Sequence, residues 1–199
     1  ANARMLRRLA EATNAFRQGY LGTRMEVTGT LESRAMAEAF NDITLSADKA
    51  TRYAEVAEEI ASVLDGEPNV TARMATVASM LANSFDHYFW TGFYVVDPTK
   101  ARELVVGPYQ GTLGCLRIAY GRGVCGAAAE TGETQLVPDV HAFPGHIACD
   151  SRSESEIVVP VFGPDGQLIA VFDVDSDKPA SFDATDQLWL EKILKTTFA

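Results

Sequence analysis

The chain is short of several things, and each shortage removes a class of protein. It has no run of about 18 apolar residues, so it offers no segment suited to spanning a bilayer as a helix. Positive charge is scarce: 17 Lys and Arg stand against 27 Asp and Glu, a net charge of −10 over 199 residues. An acidic body of this kind repels phosphate backbones and argues against nucleic-acid partners. Cysteine is rarer still. The three cysteines, Cys115, Cys125 and Cys149, cannot all pair within one chain and do not form a disulfide scaffold, which favours a reducing cytoplasm. Lysine is absent before Lys49. The basic start around Arg4, Arg7 and Arg8 has no apolar stretch behind it, so no secretory signal is expected.

What is present divides near residue 45. Met5, Leu9, Ala12 and Phe16 recur at helical spacing, Gly19, Gly22 and Gly29 interrupt them, and a second weak helix is predicted over residues 31–40. Residues 1–45 therefore read as a helical extension, either an interaction segment for a homodimer or a poorly ordered leader. Residues 46–199 read as the main domain. Ser46 is the expected N-cap of a helix carrying Tyr53, Ala57, Ile60 and Leu64 up to Gly66, and a further helix follows at 70–85. The pattern then changes to six short β-rich runs at 90–96, 103–109, 116–120, 135–140, 156–162 and 168–174. A short helix at 127–131 separates the third and fourth, and Asp183 caps a last helix through residue 194. This order is not a regular βαβ alternation, and Pro164-Asp165-Gly166 joins the last two runs as a hairpin. The predicted fold is α+β, a central, mainly antiparallel six-stranded sheet with helices packed on one face and the last two strands central.

The chemistry is concentrated. All three cysteines lie between residues 115 and 149, with His141 and His146 beside the last. Gly121-Arg122-Gly123-Val124-Cys125-Gly126 fits G-x-G-x-x-G, but its helix is cut at Gly132 and no repeated βαβ units surround it, which disfavours a dinucleotide fold. The glycines read instead as a tight strand-to-helix loop whose free amides suit a carboxylate or other anion. The cysteine and histidine spacing lacks the paired knuckle of structural zinc, so no metal is expected. Thiol redox chemistry remains, beside the ordinary role of cysteine as a small buried hydrophobe. His146, three residues before Cys149, is a candidate to lower that thiol's pKa and raise its thiolate fraction near neutral pH. Asp173 and Asp175 end a core strand at i, i+2 and so share a face, and Glu156 opens the neighbouring apolar run. Three converging carboxyls would raise one pKa and supply a proton donor; solvated strand ends are the alternative. Trp90 and Tyr94 also share a face, either as core or as an apolar wall for a methyl or thioether group.

Taken in order, the segments Trp90-Thr91-Gly92-Phe93-Tyr94, Gly107-Pro108-Tyr109-Gln110-Gly111, Gly121 to Gly126, Asp139-Val140-His141, Gly145 to Asp150, Ser155 to Pro160 and Asp173-Val174-Asp175-Ser176 resemble the free methionine-(R)-sulfoxide reductase family. The resemblance covers about residues 46–197 and implies a GAF-type catalytic domain with no cofactor. It implies reduction of free L-methionine-(R)-sulfoxide to L-methionine through a cysteine sulfenic acid and a disulfide, recycled by thioredoxin, as a defence against oxidative stress. By motif, Cys149 is the implied nucleophile, Cys115 the main resolving cysteine and Cys125 an auxiliary thiol. Glu156, Asp173 and Asp175 are implied to bind the substrate's polar groups, and Trp90 and Tyr94 to enclose the S-methyl end. The rival expectation is a GAF sensory module that binds a small ligand without turnover. The chain lacks the Asn-Lys-Phe-Asp-Glu string of the cyclic-nucleotide type, which counts against that rival.

Overall fold

The computed structural model describes residues 2–147 and 149–199; Ala1 and Ala148, the latter inside the Gly145 to Asp150 motif, lie outside the described residues. The chain forms two compact units, residues 1–53 and 54–199. In the first, the expected stripe on α1 (Asn2–Arg17) packs with Met25, Ala37 and Phe40. Asn41 fixes the intervening loop by accepting from the Met25 N–H at 2.6 Å and donating to its carbonyl at 2.9 Å. The predicted break after residue 40 does not occur. Helix α2 runs unbroken over Leu31–Val63, and Ser46 lies inside it rather than capping a new helix. The reason is local: no Gly or Pro stands between Thr30 and Asp65, so nothing ends the helix until Gly66, at φ +73°.

The second unit is built on an antiparallel sheet. Helix α3 (Val70–Ala82), N-capped by the Asn69 side chain, leads into β1 (Trp90–Val96), β2 (Glu103–Gln110) and β3 (Arg117–Ala119). Helix α4 (Gly123–Thr131), β4 (Gln135–Val137), a 3-10 turn at Val140–Ala142, β5 (Ser155–Phe162), β6 (Leu168–Ser176) and α5 (Ala184–Phe198) follow. The six strands lie in the order β3-β2-β1-β6-β5-β4, so β6 and β1 are central and β5 stands next to β6, its outer edge paired by β4 only at residues 156–158. Helix α4 starts four residues earlier than the apolar pattern suggested, because the glycine-rich motif is itself its first turn. The Asp183–Asp186 capping box opens α5 as expected.

Strand alternation divides the sheet chemically. Phe93 of β1 pairs with Phe172 of β6 and meets Phe198 of α5, at ring separations of 4.8 and 5.6 Å. The opposite face carries Trp90, Tyr94, Val158 and Val171, which pack with Val124, Cys125 and Ala128 of α4. The long C-terminal helix thus covers one face, while α4 roofs the other and encloses the polar ends of β5 and β6.

Gly92 sits at the bulge where β1 meets β2, and a Cβ there would stand 2.2 Å from Tyr109 Cβ and 2.7 Å from Tyr109 Cα. Backbone atoms cannot yield as a flexible side chain would. Gly92→Ala is therefore expected to lose about 1–3 kcal/mol by overpacking, read as a lower midpoint in thermal or urea unfolding.

Candidate active site

The register of β1, β6 and β5 brings the acids together. Asp175 pairs with Trp90 on one side and Glu156 on the other, while Asp173 pairs with Gly92 and Val158. All three carboxyls therefore point to the α4 face, as period two required. Glu156 and Asp173 are each only 5% exposed. Burial, then the neighbouring Asp173 and Asp175 charges, pushes Glu156 well above the usual carboxylate range. Burial and Asp175 do the same to Asp173. Asp175, which a Ser153 hydrogen bond tempers, is raised by burial to about 6. The cluster is therefore one that holds protons near neutral pH. Asp173 Oδ1 is buried without a hydrogen-bond partner, in a residue that lines the cleft.

Trp90, Tyr94, Cys125, Cys149, Glu156, Asp173 and Asp175 line one cleft. The indole and phenol rings stack at 5.5 Å, with Tyr109 stacked behind Trp90 at 5.1 Å. Trp90 Nε1 is fixed by the Thr112 carbonyl at 3.0 Å. Burial, then the Asp173 charge, pushes the Tyr94 phenol up, so it stays protonated at physiological pH.

The three thiols separate into a pair and a single. Cys115, on the loop between β2 and β3, is disulfide-bonded to Cys149 with Cα atoms 5.4 Å apart. Cys149 is exposed and faces the cleft; Cys115 is half-buried and packs on the apolar cluster behind it. Cys125 is a free, buried thiol on the first turn of α4, with Sγ 3.9 Å from Glu156 Oε1. Burial, followed by the Asp173 and Glu156 charges, pushes its pKa well up, so it is held as a neutral thiol.

The expected glycine loop is present and its geometry explains its composition. Gly121 N–H donates to the Gly126 carbonyl at 2.8 Å, and a Cβ on Gly126 would lie 2.4 Å from the Ala119 carbonyl oxygen. Arg122 caps α4 without a side-chain bond, and Gly123 and Val124 of its first turn line the cleft. His146 also lines the cleft, but burial, then the nearby His141 charge, lowers its pKa. A neutral imidazole takes up a proton and gives little electrostatic help to a thiolate. The cysteine and histidine metal pattern does not assemble, since two of its thiols form the disulfide and His141 pairs with Glu154 at 3.5 Å. Among the described residues, the set of donors that does converge is Cys125, Glu156 and Asp173, within 4.8 Å of one another.

Sequence reasoning missed Ser153, which meets Asp175, and gave no role to Arg122, a cation at the cleft mouth. It also missed Thr112, which donates to Asp150 Oδ2 at 2.8 Å across 38 residues. A serine three residues before a strand acid carries no local signal, and Thr112–Asp150 is a purely tertiary contact.

The GAF domain family model matches residues 70–197. The free methionine-R-sulfoxide reductase of Escherichia coli is 38% identical over 157 residues, covering 75% of this chain and 93% of that protein. The Saccharomyces cerevisiae enzyme of the same name is 42% identical over 135 residues, covering 66% and 75%. The structure of the Neisseria meningitidis free methionine-R-sulfoxide reductase with its substrate is 50% identical with a TM-score of 0.70, covering 74% of this chain and 86% of that one. The fold is that of a GAF domain, and the chain belongs to that family. Within it, the chain belongs to the free methionine-R-sulfoxide reductases, a family of oxidoreductases.

Proposed function

We infer that the protein reduces free L-methionine-(R)-sulfoxide to L-methionine, with Cys149 as nucleophile. One observation carries the assignment of the thiol: Cys149 opens on the cleft that holds Glu156, Asp173 and Asp175, and it is joined to Cys115 behind it. Sulfoxide oxygen leaves poorly, so attack on sulfur needs a proton delivered to that oxygen. The acid cluster, with carboxyls held above their normal range, has the proton to give. Cys149 thiolate bonds to the substrate sulfur as the cluster protonates the oxygen; the hydroxyl then passes to the cysteine sulfur while the substrate S–O bond and the new S–S bond break, giving sulfenic acid and methionine. Cys115 then condenses with the sulfenic acid, releasing water and closing the disulfide. Cys125, buried and neutral, is an auxiliary thiol in this scheme rather than the attacker.

Trp90 and Tyr94 form the wall for the S-methyl end. The substrate ammonium suits the acid cluster, and its carboxylate suits the α4 amides with Arg122 at the mouth. Thioredoxin is the proposed reductant; Leu113 and Leu116, 75% and 69% exposed on either side of the Cys115 loop, offer apolar surface to a protein dithiol. The reducing cytoplasm suits such recycling, and residues 1–45 remain proposed as a homodimer segment.

The test is selectivity. Incubated with dithiothreitol, the protein is expected to release methionine from the free R sulfoxide at least about 100-fold faster than from the S epimer or from a peptide-bound residue. Binding of the R sulfoxide without release of methionine would leave a sensory module instead.

A further inference from the structure

The two loops that carry the disulfide are joined by a second, non-covalent link. Thr112 Oγ1, three residues before Cys115, donates to Asp150 Oδ2 at 2.8 Å, and Asp150 directly follows Cys149. Asp150 is held from the other side by Arg152, whose Nη2 meets Oδ2 at 2.8 Å and whose Nε meets Oδ1 at 3.1 Å. The Arg152 guanidinium lies 4.3 Å over the Phe89 ring. The Thr112 carbonyl, in turn, accepts from Trp90 Nε1 at 3.0 Å. The contacts form a closed ring from Phe89 and Trp90 at the start of β1, through Thr112, Asp150 and Arg152, back to Phe89. The Cys115 loop is thus tied to Trp90 and the Cys149 loop to the adjacent Phe89, and the Thr112–Asp150 bond ties the loops to each other.

We propose that Thr112, Asp150 and Arg152 are positioning residues for the resolving step, holding the Cys115 loop against the Cys149 loop so that the second thiol meets the sulfenic acid. The proposal rests on the reading of Cys149 as nucleophile given above. In the step concerned, Cys115 sulfur bonds to Cys149 sulfur while the Cys149 S–O bond breaks, and the hydroxyl leaves with the Cys115 proton as water. No outside oxidant is consumed, since the sulfoxide has already oxidised Cys149 by two electrons. Trp90 and Asp150 line the cleft but Thr112 does not, so the Thr112 hydroxyl adds nothing to the first attack. Its effect is confined to how often the two sulfurs meet.

Thr112→Val keeps the shape of the side chain and removes the donor. Reduced wild type, Thr112→Val and Thr112→Ser are each mixed with one equivalent of free methionine-(R)-sulfoxide and quenched over time into dimedone, with methionine and the trapped sulfenic acid measured by mass spectrometry. Thr112→Val is expected to release its first methionine at the wild-type rate while its sulfenic acid persists about 10-fold longer or more, the size expected for a lost hydrogen bond to a charged group. Thr112→Ser is expected to behave as wild type, and Asp150→Asn to prolong the sulfenic acid as Thr112→Val does. Disulfide closure in Thr112→Val at the wild-type rate would overturn the proposal, and so would an equal slowing of methionine release. Absence of methionine from the wild type would instead remove the underlying assignment of the nucleophile.

Discussion

Cys149→Ser is expected to abolish methionine release, with a loss of at least about 1,000-fold under saturating dithiothreitol. A serine hydroxyl is almost wholly protonated near neutral pH, and an alcohol oxygen bonded to sulfur cannot enter the thiol–disulfide cycle that follows. The companion variants separate the roles. Cys115→Ser is expected to retain a first turnover and to accumulate sulfenic acid, because dithiothreitol replaces the resolving thiol slowly. Cys125→Ser is expected to keep most of the activity, since the thiol it removes is buried and neutral. Methionine release, counted per enzyme with and without reductant, checks all three. Full activity in Cys149→Ser would remove it as nucleophile.

The second large effect belongs to the acids, and it has two signs. Asp173→Asn is expected to lower kcat/KM by about 100- to 10,000-fold through loss of a proton donor. The same change is expected to stabilise the fold at alkaline pH. A carboxyl raised in the folded state contributes stability that is complete below its unfolded pKa and is lost as pH rises through its folded value. For Asp175, moving from 3.8 to about 6 corresponds to about 3 kcal/mol lost across that window. Glu156 and Asp173 are displaced in the same direction, so the loss extends to higher pH. Replacing Asp173 by its neutral isostere relieves the crowding of like charge, and a gain on the order of 5 °C in Tm at pH 8 is expected, shrinking toward pH 4. The wild-type kcat/KM should fall as pH rises through the upper titration of the cluster. Melting curves of the two proteins at several pH values, beside initial rates, read both effects. An unchanged rate in Asp173→Asn would shift the donor to Glu156 or Asp175.

The acid cluster was legible in the sequence because strand periodicity is a local rule. Asp173 and Asp175, two apart at the end of an apolar run, had to share a face, and Glu156 needed only the antiparallel neighbour that Pro164-Asp165-Gly166 announced. The Asp183 cap was equally local. The unbroken α2 was not legible, since Ser46 looks the same as an N-cap and as a residue inside a helix; only the lack of a breaker separates the two. The start of α4 was hidden for the opposite reason. Gly123 and Gly126 argue against a helix by propensity, yet the φ of +61° at Gly123 and the close approach of Gly126 to the Ala119 carbonyl demand them there. The pairing of Cys115 with Cys149 came from family resemblance, because a separation of 34 positions gives no geometric rule. The Thr112–Asp150 link had no sequence signal of any kind, being made by two loops that meet only after the sheet has formed.

The placement of that disulfide bears on more than resolution. Cys115 and Cys149 are separated by 34 positions, and the segment they enclose holds β3, α4, β4 and the 3-10 turn. Closing a loop of this length removes denatured-state freedom worth roughly 3–4 kcal/mol. In the proposed cycle, each turnover therefore alternates the roof of the cleft between a tethered and an untethered form. On that reading the enzyme is at its most resistant to unfolding when it is spent and waiting for electrons, and at its loosest when it is reduced and ready for substrate.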